Sequence, residues 1–490
     1  MELLHIFLLF LPLLLLLKPF LWRRTTTNLP PGPRGLPILG SLLQLGPRPN
    51  QSLYHLAKIY GPLMSLRLGS ITTVVASSPE TAKELLHSHD QTFSDRTVPD
   101  AVFSQPNPEG TVAWIPGNRQ WKNRRRICST QMFTEQRLNS QQNLRHQKVQ
   151  QLVEHLRKRS AQGIPVDIGP VAFATALNLI STTIFSIDMV DPEFEKAQEF
   201  QDVVWTIMEG AGKPNLSDYF PILKRFDLQG VRKHIRPAYQ RLHEIFDEII
   251  DERLASKARL GDFLDVLINQ DGPDSDRKLI KPLIVDLFIA GSDTSSSTTE
   301  WAMSELLKNP DVLHKARKEL LEVIGPEGTV KESDVDKLPY LQAIAKETLR
   351  LHPSAPLLLP YKASNDVKVQ TGYTIPKGSQ VLVNAWGIGR DPKYWDDPLS
   401  FRPERFMTSS SKDYKGHDFE YIPFGAGRRI CPGAPLAVRM VHLMVGSMIH
   451  SFDWELVDGM SPENLDMEEQ FGITLKKAIP LRAIPISLRK

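Results

Sequence analysis

The 490-residue sequence predicts a mainly α-helical protein with small β-sheets, one large domain behind a single N-terminal membrane helix. Three observations predict it. Apolar residues recur at helical spacing through most of the chain, as at Leu242, Ile245, Phe246, Ile249 and Ile250. Alternation with a period of two is confined to short stretches, residues 61–78 and 368–384. No convincing linker divides the chain after residue 50, although its length alone allows about three domains.

The elements follow in order. Residues 3–17, LLHIFLLFLPLLLLL, form a nearly continuous apolar run that KPFLW extends to Trp22. Twenty residues at the helical rise of about 1.5 Å match a hydrocarbon core of roughly 30 Å. Arg23 and Arg24 follow the run, whereas only Glu2 precedes it, an asymmetry that places the C-terminal side in the cytosol. A cleaved secretory signal fits less well, because the start lacks basic residues and no small-residue cleavage site follows. Residues 1–24 are therefore read as an uncleaved anchor. Residues 25–40, rich in proline, read as a stiff hinge, and residues 41–490 as the catalytic body.

Within the body, GPLMSLRLGSITTVVASS (61–78) reads as a hairpin with Gly69-Ser70 at its tip. Residues 166–185 are apolar nearly all round and predict a buried helix. Long helical patterns also cover residues 282–308 and 338–352. A net charge of +3 is too small to argue for nucleic acid as a partner. With only Cys128 and Cys431 present, a disulfide framework is excluded and a reducing compartment expected.

Three stretches carry chemistry. The helix at 283–306 has a polar patch, AGSDTSSSTTE, in an apolar run. Its hydroxyls can bond back to carbonyls and bend the helix beside Asp293 and Thr294. Equally, Ser297 to Glu300 fits a capping box that starts a second helix. KETLRLHP (346–353) sets Glu347 and Arg350 on one helical face as a plausible buried pair. FGAGRRICPG (424–433) holds Cys431 among glycines, just ahead of a strong helix pattern and beside Arg428 and Arg429. A helix N-terminus and nearby cations favour the thiolate. A nucleophile would need a base, and His417 has no triad context; the absence of CxxC disfavours zinc and iron–sulfur. A single sulfur ligand to haem remains.

These motifs together resemble the cytochrome P-450 family of haem-thiolate monooxygenases, and the resemblance covers nearly the whole chain. It runs through PPGP, WKNRR (121–125), AGSDTS (290–295), KETLR, FRPERF (401–406) and PFGAGRRICPG (423–433). The resemblance implies the P-450 fold, haem b (iron protoporphyrin IX) as cofactor and Cys431 as its axial iron ligand. It implies that Phe424 packs by the sulfur and that Gly433 lets the backbone approach it. Asp293 and Thr294 would organise proton delivery to the oxygen being activated. Trp121, Arg125 and Arg429 would bind the haem propionates. Glu347, Arg350 and Arg405 would form an ion-pair group behind the haem, with Arg350 counted among the cofactor-binding residues. Lys122, Arg124, Arg126 and Arg428 would add to a basic face for NADPH-cytochrome P-450 reductase, an FAD/FMN flavoprotein. One position departs from the pattern. Many relatives place a basic propionate ligand after the proline of LLLPYKAS, where this chain has Tyr361. Either a phenol hydrogen bond or a weaker clamp is expected there, and Cys128 is expected to be a buried apolar residue.

The resemblance further implies a pocket lined near residues 99–115, Asp286 to Thr294, Ala355 to Pro360 and Phe471 to Thr474. SAPLLLP and QFGIT make its wall look apolar, suited to a lipophilic molecule. Further strings are similar to the plant microsomal group containing geraniol and diterpene hydroxylases. The expectation is an NADPH- and O2-dependent hydroxylase of a terpenoid, anchored in the endoplasmic reticulum membrane and facing the cytosol. Oxidation of a phenolic such as tyrosine or a flavonoid is the alternative. A haem-thiolate isomerase or dehydratase, and a non-catalytic haem-binding scaffold, are the competing classes.

Overall fold

The computed structural model describes residues 28–191, 193, 196–256, 259–269, 277–408 and 412–488. The anchor expected at residues 1–24 lies outside them. Helices dominate. The longer ones are α1 (Pro49–Tyr60), α2 (Arg119–Gln131), α3 (Gln142–Ala161), α4 (Ile168–Phe185), α5 (Ala197–Gly212), α6 (Val231–Ser256), α7 (Arg277–Lys308), α8 (Pro310–Ile324), α9 (Pro339–Leu351) and α10 (Ala434–Ser451). The apolar helix foreseen at 166–185 is α4, buried along nearly its whole length and packed against α7. It is long and apolar enough to cross a membrane, yet it lies inside the core. That core is one large cluster running through α3, α4, α6, α7, α9 and α10. Phe185, Phe246 and Phe288 bridge α4, α6 and α7, with ring centroids 5.4 and 5.0 Å apart.

The hairpin at 61–78 forms as expected. Strands β1 (Leu63–Leu68) and β2 (Ile71–Ala76) pair antiparallel from Leu63↔Ala76 to Leu68↔Ile71, and Gly69 turns between them at φ 58°. They belong to a five-stranded sheet with β3 (Asp95–Arg96), β5 (Tyr361–Lys362) and β8 (Gln380–Val383), in the order β1-β2-β8-β5-β3. The other sheets are small. Strand β4 (Val166–Asp167) joins β12 (Arg482–Ser487) and β9 (Phe452–Leu456), β6 (Val367–Lys368) pairs β7 (Thr374–Ile375), and β10 (Glu469–Phe471) pairs β11 (Leu475–Lys477).

Two sequence expectations are refined. The proline-rich hinge does not stand off the body where it is described. Ser65 of β1 donates its N–H to the Pro31 carbonyl (2.8 Å) and its hydroxyl to the Pro30 carbonyl (2.6 Å). The polar patch of α7 does not start a new helix: α7 runs unbroken to Lys308. Its hydroxyls bond back one turn, Ser292 to Phe288, Thr294 to Ala290 and Thr298 to Thr294 (2.7–2.8 Å). Ser297 instead donates to the Leu475 carbonyl (2.7 Å), tying α7 to β11.

Candidate active site

The glycine loop before α10 sets one wall of a cavity of about 510 Å³. Gly425 and Gly427 take φ values of 74° and 65°, which side chains rarely adopt. A Cβ on Gly427 would sit 2.0 Å from the Leu86 carbonyl oxygen, so only glycine fits there. Cys431 N–H closes the loop on the Phe424 carbonyl (3.0 Å). Cys431 faces the cavity, the one cysteine with open surface, whereas Cys128 is fully buried and its thiol is pushed up to about 12 by burial. Phe424 and Gly433 line the cavity beside the sulfur.

The thiolate bias read from the sequence needs correction. Burial pushes the Cys431 thiol up, and the Gly433 and Ala434 N–H groups and the Arg125 guanidinium only oppose that. Arg428 points away, paired with Asp90 at 3.0 Å, and Arg429 turns its Nε to the Ser94 carbonyl.

Opposite needs meet on a second wall, where Arg96, Arg125 and Arg429 all line the cavity. Arg429 donates to the carbonyls of Ser94 (2.7 Å) and Ile115 (2.6 Å) and lies 4.2 Å over the Trp121 ring. Arg125 donates to the Ile430 carbonyl. Arg96 donates to the Leu359 carbonyl (2.8 Å) and sits 4.3 Å over the ring of Tyr361. None of the three forms an ion pair with a carboxylate among the described residues. Burial, and next the neighbouring Arg96, lowers Arg429 to about 9; burial also lowers Arg96 and Arg125. Three desolvated, mutually repelling guanidiniums without an anion are a cradle for a ligand with more than one carboxylate. Together with one open sulfur, this donor set fits haem b.

Arg96 was missed in the sequence, where FSDRT carries no distinguishing signal, yet β3 pairs with β5 and lays it on Tyr361. It brings a cation to the place where Tyr361 replaces the usual one.

Two expected site residues are not on the cavity. Arg350 is buried on α9 away from it. Its five N–H donors go to Glu347 (2.7 and 2.8 Å) and to the carbonyls of Gly389, Pro398 and Ser400 (2.6, 2.7 and 3.2 Å). Nothing remains for a cofactor, so its place is in the ion-pair group with Glu347 and Arg405, which forms as expected. Asp293 is also turned away. Adjacent helical residues point about 100° apart, so Thr294 reaches the cavity while the Asp293 carboxylate accepts from the Thr474 hydroxyl (2.7 Å). Burial raises the Asp293 pKa against the pull of that bond. Gly291 serves packing as well: a Cβ there would lie 2.8 Å from Ile180 of α4. Of the expected basic surface, Lys122, Arg126 and Arg428 are exposed, but Arg124 is buried and donates to the Glu109 carbonyl.

The turn between β10 and β11 completes the distal wall with Ile473 and Thr474. It is pinned from several sides: Glu469 accepts from Trp386 Nε1 (2.9 Å), and Leu475 N–H reaches the Ser354 carbonyl (2.8 Å).

The cytochrome P450 family model matches residues 30–481. Geraniol 8-hydroxylase of Catharanthus roseus is 52% identical over 471 residues, 95% of each chain. Geranylhydroquinone 3''-hydroxylase of Arnebia euchroma is 47% identical over 476 residues, covering 95% of this chain and 96% of that one. Drimenol monooxygenase of Persicaria hydropiper is 45% identical over 473 residues, 95% of this chain and 94% of its own.

Proposed function

The chain belongs to the cytochrome P450 family and is a haem b monooxygenase, and from that premise we propose that it hydroxylates a terpenoid. The observation that carries this reading is the cavity itself. The wall that α4, α5 and α7 turn to it is apolar, with Ala176, Leu179, Ile180, Ile207, Met208 and Leu287, and suits a lipid-like molecule. An apolar wall holds a hydrocarbon skeleton by burial and excludes water from the reacting carbon. The three relatives named above act, by their names, on geraniol, geranylhydroquinone and drimenol.

In this reading Cys431 supplies the iron ligand, and Arg96, Arg125, Arg429 and Trp121 hold the propionates. Bound haem b supplies activation of O2 with electrons from NADPH through a reductase. Thr294 is the last protein hydroxyl on the proton path. Asp293, kept protonated to higher pH by burial, stands behind it. The exposed Lys122, Arg126 and Arg428 offer the reductase an electropositive rim, with Arg428 already partly balanced by Asp90. Residues 1–24 anchor the body, residues 41–490, to the cytosolic face of the endoplasmic reticulum.

The test is reconstitution in microsomes with NADPH-cytochrome P450 reductase. Monoterpene, sesquiterpene and diterpene panels and tyrosine are then screened by mass spectrometry. Oxygenated terpenoids are expected, and product from the phenolic members alone would overturn the substrate reading. In the same preparation Cys431→His should abolish the red-shifted Soret band of the reduced CO complex; its retention would remove Cys431 as the ligand.

A further inference from the structure

The Asp293 carboxylate meets the cavity through one side chain. Asp293 does not line the cavity, yet its Oδ2 accepts the hydroxyl of Thr474 (2.7 Å), and Thr474 does line it. Among the described residues no other side chain or N–H group bonds that carboxylate. Thr294, its neighbour on α7, commits its hydroxyl to the Ala290 carbonyl (2.7 Å). Ser292, Ser296 and Ser297 likewise donate to carbonyls, those of Phe288, Asp293 and Leu475. Nor is the Thr474 hydroxyl needed to hold its own turn, which backbone bonds fix. Gly472 N–H reaches the Thr474 carbonyl (2.9 Å), and Ile473 N–H the Met208 carbonyl of α5 (2.8 Å). An apolar residue would close the wall there as Ile473 does.

We propose that Thr474 is the relay through which the proton of Asp293 enters the cavity. This goes beyond the terpenoid reading and holds for any substrate. A hydroxyl has one donor and two acceptor lone pairs, so the same contact serves in both directions. Facing the carboxylate, Thr474 donates. Once Asp293 is protonated, its O–H donates to Thr474 Oγ1, and the Thr474 hydrogen is free to turn to the cavity. Transfer breaks the Asp293 O–H bond and forms a new one on Thr474, whose original hydrogen passes to an oxygen in the cavity. One proton moves and no electrons do; the carboxylate then takes a proton back from solvent. Burial raises the Asp293 pKa against the Thr474 bond and the charge of Lys476, which keeps the acid loaded to higher pH.

Three substitutions in the purified holoenzyme separate relaying from holding. Thr474→Ser keeps the hydroxyl, and Thr474→Val keeps the shape without it. Thr474→Asn offers the carboxylate an N–H donor that cannot pass a proton on. Without substrate, electrons from NADPH and the reductase reduce O2 to hydrogen peroxide or, with two further electrons and protons, to two waters. Peroxide recovered per NADPH should rise about threefold or more in both Thr474→Val and Thr474→Asn. In Thr474→Ser it should stay near the wild-type value. A wild-type ratio in Thr474→Asn would leave Thr474 a positioning residue and overturn the relay. Infrared spectra read the contact without turnover. At acid pH, the carboxylic-acid carbonyl band that Asp293→Asn removes should lie at the low frequency of an acid donating a hydrogen bond, and move up in Thr474→Val. A band that stays put in Thr474→Val overturns the relay. So does a wild type with no such band, or with one at the frequency of a free acid, even if no variant at 474 folds.

Discussion

Replacing Glu347 by Gln changes one oxygen for one NH2 in a side chain that has no contact with solvent. Both Glu347 and Arg350 side chains are 0% exposed, and Arg405 is nearly so. The carboxylate accepts four bonds: two from Arg350 (2.7 and 2.8 Å), one from Arg405 Nε (2.9 Å) and one from Arg402 N–H (2.8 Å). An amide retains one acceptor and turns a donor toward a guanidinium, leaving two buried cations without their anion. Removing one partner of a buried pair costs about 3–5 kcal/mol. For 490 residues at about 2.1 cal/mol/K each, the unfolding entropy is on the order of 1 kcal/mol/K. The expected fall in Tm is therefore roughly 3–5 °C. Scanning fluorimetry of the holoenzyme reads it directly, since the Trp395 ring lies 5.2 Å from the Arg350 guanidinium. The control is Glu154→Gln, which removes the exposed pair with Arg157; it should shift Tm by less than about 1 °C. A Glu347→Gln shift no larger than the control would refute the reasoning, because the carboxylate would then contribute no more than its shape.

Two further outcomes are expected. Tyr361→Phe keeps the ring beneath Arg96 and should leave the haem-to-protein ratio after gel filtration near the wild-type value, whereas Arg96→Gln should lower it by about half or more; loss in Tyr361→Phe with none in Arg96→Gln would put the phenol, not the guanidinium, in the clamp. Burial raises Glu300 from 4.5 to about 7, against the bond from Leu481 N–H. The folded state therefore holds that proton longer than the unfolded chain, and stability is lost as pH rises from about 4.5 to about 7, on the order of 3 kcal/mol. Glu300→Gln keeps the acceptor for Leu481 and removes this slope, so the gap in urea midpoint between pH 5 and pH 8 should narrow in the variant. An unchanged gap would mean that Glu300 does not titrate in that window.

What the sequence made legible is local or carried by glycine and charge. The Gly69-Ser70 hairpin needed only period-two alternation and a turn, and α4 only an unbroken apolar run. The strands β10 and β11 were invisible because each has only three residues, and β9 and β12 because their partners are not adjacent in sequence, as where Pro485 of β12 meets Trp454 of β9. The site divides the same way. Cys431, Phe424, Gly433 and Trp121, each in a short motif, all line the cavity. Arg96 was missed because its role comes from β3 pairing with β5 across more than 260 positions of chain. Arg350 and Arg124 were misassigned because a list of cations in a motif says nothing of which carbonyls surround them. Asp293 and Thr294 are neighbours in sequence, but helical geometry sends one to the cavity and the other to Thr474.

That last contact ties recognition to chemistry in two consecutive residues. Ile473 lines the cavity wall, and Thr474 is the bolt on Asp293, both on one pinned turn. Divergence toward a new substrate can rewrite the first side chain freely, since any apolar shape still seals the wall. Rewriting the second alters how the acid is held, whatever the substrate. Lineages and engineers that reshape this pocket should therefore find position 473 permissive and position 474 nearly closed, two adjoining codons with unequal freedom.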